Sequence, residues 1–94
     1  MWDVTGIWLH EPTGGLLEFR PDGTYEMKLP NPFTGTALLR NDGYYAVIEG
    51  VIYTESFSKT KVEIYLMTMP LHATTFRFMR NGEELGDLTC VRVR

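Results

Sequence analysis

Apolar and polar residues alternate along most of this chain, and turn-forming residues interrupt the alternation roughly every eight to twelve positions. Leu17 and Phe19 share one side of an extended segment, whereas Glu18 and Arg20 share the other. No segment repeats its apolar positions at the spacing that an amphipathic helix requires. The pattern therefore predicts an all-β protein of about eight or nine short antiparallel strands.

The clearest predicted hairpin surrounds the Pro-Asp-Gly turn at 21–23. Proline presets the backbone angle of a type I turn, and glycine accepts the left-handed conformation that follows it. Closing a strand pair at this turn places Phe19 opposite Tyr25. Two residues farther along, the same pairing places Leu17 opposite Met27. The turn and the hydrophobic pattern thus require one register.

The middle of the chain divides into two strands, a turn and a loop. Two prolines in 29–36 predict a loop or an irregular edge, because proline donates no hydrogen bond to a sheet. The Arg-Asn-Asp-Gly stretch at 40–43 predicts a turn. The apolar stretch 44–53 predicts a strand that Gly50 bends or bulges. A further strand is predicted at 62–69, where a proline then ends it.

The last hairpin turns at Asn81-Gly82, the strongest short signal for a two-residue type I′ turn. Simple pairing across this turn places Phe76 opposite an aspartate, which mismatches the two strands. A bulge at Gly86 corrects the mismatch. It brings three residues to the core face: Leu88, Cys90 and Arg92.

A sheet of this kind either closes or leaves two edges. Long apolar segments at an open edge would pair with other chains and aggregate, so closure is favoured. We therefore predict that residues 1–94 form a single domain, a small antiparallel meander that closes into an up-and-down barrel. A two-sheet β-sandwich is the alternative.

Short motifs resemble the lipocalin-like small barrels of the calycin group: GIW at 6–8, LEFRPDGTY at 17–25, GYYAVIEGVI at 43–52 and TCVRVR at 89–94. In that group a glycine-x-tryptophan motif opens the barrel, and Gly6 and Trp8 match it. The resemblance implies that an arginine of the last strand packs across the tryptophan and closes the base of the barrel. Arg92 is expected in that role, with Arg94 as the alternative.

The resemblance and the aromatic content together predict a non-catalytic barrel that binds a small apolar or aromatic molecule. Binding pockets combine apolar walls with a few polar anchors. The residues expected to line this pocket are Tyr25, Met27, Tyr45 and Tyr65, with Phe33 near the mouth. The alternative is that these side chains simply fill the core, because a small barrel of about eight strands is just wide enough to be filled.

The segment 44–53 supports a different function. It is apolar on both faces apart from Glu49, whereas a strand with one buried face alternates more cleanly. This predicts a protein-interaction or self-associating module, with a homodimer through Tyr44–Tyr53. An enzyme in a lipocalin-like barrel is a second alternative, and it rests on the fold alone.

Charge and candidate chemistry narrow these hypotheses. A net charge of −3 disfavours nucleic acid, and no apolar run is long enough to span a bilayer. One cysteine, Cys90, and the absence of a signal-like start predict a cytoplasmic protein. His10 and His72 show no zinc-binding spacing with Cys90, and no cofactor, metal or catalytic residue is predicted. Glu18 and Glu26 are expected in an outward, solvated charge cluster.

Overall fold

The computed structural model describes residues 3–30, 38–57, 61–67, 72–80 and 82–94. Each strand is antiparallel to the next, and the last pairs with the first, so the sheet closes into a barrel. The predicted fold class is confirmed, and the sandwich alternative is wrong. None of the described residues forms a helix capable of crossing a membrane. The strands are β1 Gly6–His10, β2 Gly15–Phe19, β3 Thr24–Pro30, β4 Leu38–Ile48, β5 Val51–Ser56, β6 Lys61–Leu66, β7 Ala73–Arg80 and β8 Glu83–Arg92.

The barrel closes where β1 meets β8. Trp8 lies opposite Arg92, and the following residues pair in the same register. The backbone satisfies its own donors and acceptors along this seam, which leaves no free edge between the first and last strands. Two further backbone hydrogen bonds extend the seam past the end of β8: Ile7 N to Arg94 O at 3.0 Å and Val93 N to Ile7 O at 2.8 Å.

The hairpin of β2 and β3 has the predicted register. Phe19 lies opposite Tyr25, and Leu17 lies opposite Met27. Gly23 has a φ of 86°, the left-handed conformation that the turn requires. All four paired side chains are buried, so the turn chemistry and the core agree here. The loop predicted at 29–36 lies largely outside the described residues.

Strand β4 corrects two predictions. The turn predicted at 40–43 is wrong, because β4 continues through these residues and pairs with β3 and β5 on its two sides. At Gly43 the glycine allows close approach, since a Cβ there would contact Glu55 O of β5. The turn lies instead at Glu49 and Gly50, whose φ values of 50° and 80° form a two-residue type I′ turn. Gly50 therefore connects two strands and does not bend one.

The bulge predicted near Gly86 is present. Phe78 lies opposite Gly86, and Met79 lies opposite Glu84, so Leu85 is the extra residue on β8. Without the extra residue, inward-pointing residues of β7 would lie opposite outward-pointing residues of β8. The bulge brings inward residues opposite one another: Phe76 opposite Leu88 and Thr74 opposite Cys90.

The interior of the barrel holds a packed aromatic core. Trp8 meets Phe76 edge to face, with ring centroids 5.4 Å apart and planes at 83°. Phe19 packs against Phe76 at 6.4 Å and against Tyr45 at 5.1 Å. Such pairs add to the burial of apolar area and stabilise the barrel centre. The largest fully buried side chains are Trp8, Phe19, Phe76, Phe78, Leu17, Ile52 and Ile64.

Candidate functional site

One end of the barrel is closed by Trp8 and Arg92. The guanidinium carbon of Arg92 lies 4.5 Å from the centroid of the Trp8 ring, and Arg92 Nη2 donates to Asp3 O at 2.6 Å. Trp8 Nε1 donates to Val4 O at 2.9 Å, so the buried indole leaves no polar atom unpaired. Gly6 lies beside them with a φ of 133°. These contacts are structural, because they bury the indole and pack Arg92 across it at this end of the barrel.

Two of the residues predicted to line a pocket are inside the barrel. Tyr25 and Met27 are only 2% and 4% exposed, and both belong to the packed core. Tyr25 Oη makes no hydrogen bond of normal geometry. Burial raises the pKa of the Tyr25 phenol, and the nearby Thr54 hydroxyl lowers it in part. Both residues therefore contribute to the packed core of the barrel.

Of the other predicted pocket residues, Tyr45 packs against the same core, whereas Tyr65 lies apart from it. Tyr45 is half-buried, and its hydroxyl donates to Arg20 O at 2.8 Å, which ties it to the β2–β3 turn. Tyr65 lies on the outer surface, where its hydroxyl donates to Glu63 Oε2 at 2.8 Å. The alternation along β6 explains this position, since the residues on either side of Tyr65 point inward. Phe33 lies outside the described residues.

The buried reactive groups show no catalytic arrangement. Burial raises the pKa of Cys90 to about 12, so its thiol stays protonated and a poor nucleophile at neutral pH. His10 Nδ1 lies 2.6 Å from Thr13 Oγ1, a contact within one turn. Across the described part of the chain, no three His, Cys, Asp or Glu side chains are close enough to hold a metal ion.

Glu18 and Glu26 face each other across the outer side of the β2–β3 hairpin. Arg20 Nη2 bridges them, at 3.0 Å from Glu18 and 2.9 Å from Glu26, and Lys28 also pairs with Glu26. Hydrogen bonds from Lys28 and Arg20 hold the pKa of Glu26 below its ordinary value. Two carboxylates neutralised in this way do not divide into an acid and a base, so this cluster has no catalytic geometry.

The neighbouring strands β4 and β5 expose an apolar surface, which we call the β4–β5 face. It consists of the outward side chains of Tyr44, Ala46, Ile48, Tyr53 and Phe57. Tyr44 is 60% exposed, Ile48 is 57% and Phe57 is 58%. Ala46 lies directly opposite Tyr53 across the two strands, so these side chains form one continuous surface.

Two of the exposed aromatic rings pack against each other. Tyr44 and Phe57 meet edge to face, with centroids 5.2 Å apart and planes at 85°. Phe57 is also tied to β4, because its backbone N–H donates to Asp42 O at 2.9 Å. The two rings therefore stand as a defined ridge and do not fold back into the core.

A groove of about 400 Å³ runs along this face beside β6. Tyr44, Ala46 and Tyr53 supply its apolar wall, and Glu55, Lys61 and Glu63 supply charged groups. Glu55 lies directly opposite Lys61 across β5 and β6. Neither side chain forms an ion pair with any described residue. Among the described residues, the groove thus offers a positive and a negative group without an ion-pair partner beside aromatic rings.

The sequence pattern anticipated part of this face. The apolar character of 44–53 on both sides was visible, but Phe57 and the charges of the groove were not assigned to it. Placing the turn at 49–50 would have found them, because strict alternation from Val51 then puts Tyr53, Glu55 and Phe57 on one side. The Glu-Gly pair at 49–50 is thus the sequence feature that would have assigned these residues to the face.

We compared the chain with protein-family models, with curated proteins and with solved structures. None of the three comparisons finds a match.

Proposed function

We propose that this protein is a non-catalytic β-barrel that binds a partner protein through the β4–β5 face. The observation that carries this proposal is the concentration of exposed apolar side chains on one side of a barrel with a packed core. Among the described residues, seven large hydrophobic side chains are exposed, and four of them lie on this face: Tyr44, Ile48, Tyr53 and Phe57.

The composition of the face supports contact with a protein. Contiguous exposed apolar surface is costly in water and commonly marks an interaction site. Aromatic residues are enriched in protein interfaces, and tyrosine combines a large apolar body with a hydroxyl that tolerates water before binding. Because Tyr44 is held against Phe57, part of its conformational entropy is already lost before a partner arrives.

The proposal includes a lipocalin-like construction for the barrel. Its support is the Gly-x-Trp motif on β1 and the position of Arg92 over the Trp8 ring. The packed core moves the expected binding surface from the inside of such a barrel to its outside. A cytoplasmic location is also part of this proposal, since Cys90 is the chain's one cysteine and its thiol is free.

Site-specific photo-crosslinking in cells tests the proposed function. A photoreactive residue replaces Ile48 on the β4–β5 face, and in a matched control it replaces Leu16. Leu16 is also an exposed aliphatic residue, 41% accessible, but it lies on β2. We expect a discrete protein adduct from position 48 and none from position 16. Equal labelling from both positions, or none from either, would contradict the proposal.

A second candidate is the binding of a small apolar or aromatic molecule in the groove. The groove's volume of about 400 Å³ favours it, because ligand pockets usually measure roughly 300–1,000 Å³. Tyr44 and Tyr53 could stack on a planar ligand, and Lys61 could orient it. The groove is open along one side, so a bound molecule would keep part of its surface in water.

Thermal shift with a panel of planar small molecules tests this second candidate. A true ligand raises the melting temperature of the wild-type protein and loses this effect in Tyr53→Ser. Ile7→Ser is the control, since Ile7 lies on a different outer surface near β2. A shift that survives Tyr53→Ser and disappears in Ile7→Ser would assign the ligand to another place.

A further inference from the structure

We infer that the partner of the β4–β5 face is a second copy of this chain, bound through the same face about a two-fold axis. This inference rests on the proposed function and names the partner. In a two-fold interface, if residue i of one copy contacts residue j of the other, then j also contacts i. The face must therefore be complementary to itself in shape, apolarity and charge.

The charges of the groove meet this requirement. Glu55 and Lys61 are neighbours across β5 and β6, yet each lacks an ion-pair partner in the described chain. Elsewhere the barrel pairs such groups directly, as Arg77 does with Asp87 at 2.9 Å. In a two-fold complex, Lys61 of each copy can meet Glu55 of the other. One contact type would then form twice and neutralise four charges.

The apolar part of the face also suits a second copy. A partner must cover the aromatic ridge of Tyr44 and Phe57 while supplying opposite charges beside it. The same face supplies both, with Tyr53 and Ile48 as apolar surface, Glu55 opposite Tyr44, and Lys61 on the adjacent strand. A partner with charge of a single sign would leave one of these two groups unmatched. In a complex of two identical copies, Glu55 and Lys61 each meet a group of opposite charge.

The size of the face predicts weak association. Three strands at about 4.8 Å spacing and about seven residues at about 3.3 Å each give a flat area of roughly 15 by 25 Å. This is well below the roughly 800 Å² per partner of a standard protein interface. We therefore expect a reversible dimer with a dissociation constant in the micromolar range, whose population depends on protein concentration.

Sedimentation velocity over micromolar to near-millimolar protein tests the inference. We expect the wild type to pass from monomer to dimer within this range. Glu55→Lys alone and Lys61→Glu alone should each weaken the dimer at least about tenfold, because like charges then meet twice. An equimolar mixture of the two variants should recover association. In that mixture, one copy presents two lysines and the other presents two glutamates.

Glu11→Lys is the matched control, because it changes the net charge equally at an exposed turn away from the face. Each face variant puts like charges opposite each other at positions 55 and 61 of one copy, so both variants should be slightly less stable than the wild type and should remain folded, since both positions are exposed. A strictly monomeric wild type overturns the inference. So does a mixture that fails to recover, or a control that weakens association as much as the face variants do.

The two proposals fail in different ways. If the wild type is monomeric but position 48 crosslinks to a different protein, the second-copy inference is wrong and the proposed function stands. If neither dimer nor adduct forms, both are wrong. An adduct of twice the chain mass that disappears on Glu55→Lys supports both.

Discussion

Among the described residues, Tyr25 has a side-chain hydroxyl that makes no hydrogen bond of normal geometry. Its Oη is buried, and the nearby Thr54 hydroxyl already donates to Val62 O at 2.8 Å. A buried polar atom without a hydrogen bond costs about 1–3 kcal/mol of stability. Tyr45 differs in this respect, because its hydroxyl donates to Arg20 O. Comparing Tyr25 with Tyr45 therefore separates a buried hydroxyl without a hydrogen bond from one that has a hydrogen bond.

Removing the two hydroxyls should have opposite effects. Tyr25→Phe is expected to leave the free energy of unfolding unchanged or to raise it by about 1 kcal/mol, since an unpaired buried group is lost. Tyr45→Phe should lower it by about 0.5–1.5 kcal/mol, because a hydrogen bond is lost. Urea unfolding monitored by tryptophan fluorescence measures both. A Tyr25→Phe variant less stable than Tyr45→Phe would mean that Tyr25 Oη has a partner in solution.

Cys90 makes stability depend on alkaline pH. Its pKa is about 12 in the folded protein, against 9.0 for the unperturbed thiol, because burial disfavours the thiolate. Above pH 9.0 the unfolded chain loses this proton while the folded chain keeps it, so stability falls as the pH rises. Between about pH 8 and pH 10 the loss should be about 1 kcal/mol. The effect persists until the folded thiol itself titrates.

Comparison with Cys90→Ala isolates this effect from other groups that titrate in the same range. The variant should be less stable than the wild type at pH 8, since it leaves a small cavity. Its stability should then decrease less steeply toward pH 10. Urea unfolding at both pH values provides the measurement, and parallel decreases for the two proteins would refute the prediction.

Among the strands and turns, the β4–β5 hairpin departs most from sequence expectation. Glu49 adopts a φ of 50°, which costs an ordinary side chain roughly 1–2 kcal/mol. The strong turn signal Asn-Asp-Gly lies a few residues earlier, yet it forms strand because β3 pairs with all three residues and β5 pairs with Gly43. Pairing with β3 along this stretch outweighs local turn preference, so the hairpin turns at a less favourable pair of residues.

Glu49→Asn should therefore stabilise the protein. Asparagine tolerates the left-handed conformation, and Asn-Gly is the preferred type I′ pair. We expect the free energy of unfolding to rise by about 0.5–1 kcal/mol in urea unfolding. Glu11→Asn serves as the control, because Glu11 is exposed in a turn without positive φ. Equal changes at both positions would indicate a charge effect and would argue against strain at Glu49.

For the whole molecule, stability depends on closing the sheet between β1 and β8. Gly6 is central to this seam, because a Cβ at this position would contact Arg94 O and would also carry a φ of 133°. Closure places Arg92 over Trp8 and removes the edges of β1 and β8. A barrel that failed to close would expose its aromatic core along this seam and would be prone to aggregate.

Gly6→Ala should open the seam, with a loss of about 2–4 kcal/mol from the clash and the backbone strain together. Gly14→Ala is a matched control, since Gly14 also has positive φ but nothing lies within 4 Å of an added Cβ. The control should lose about 1–2 kcal/mol from strain alone. Hydrogen exchange should accelerate at the Ile7 and Val93 amides in Gly6→Ala only. Equal losses in both variants would contradict the proposed clash.

The candidate site was less predictable than the fold. The sequence identified 44–53 as a two-faced apolar segment, and the structure exposes Tyr44, Ile48 and Tyr53 from it. It grouped Tyr65 with Tyr25 in one pocket, but the two lie on opposite faces of the sheet. When a strand is apolar on both faces, its sequence does not indicate which face points into the barrel. That information comes from the register with its neighbours.

What the sequence alone determined is the local structure that alternation and turn chemistry control together. It established the all-β class, the pairing of Phe19 with Tyr25 and the bulge beside Gly86, because in each case one register alone buries the apolar side chains. Only the tertiary structure decided that β4 passes through its Asn-Asp-Gly stretch, that aromatic side chains pack the interior, and that Tyr44 and Phe57 face water. These outcomes depend on closing eight strands around a fixed volume, which no local stretch of chain encodes.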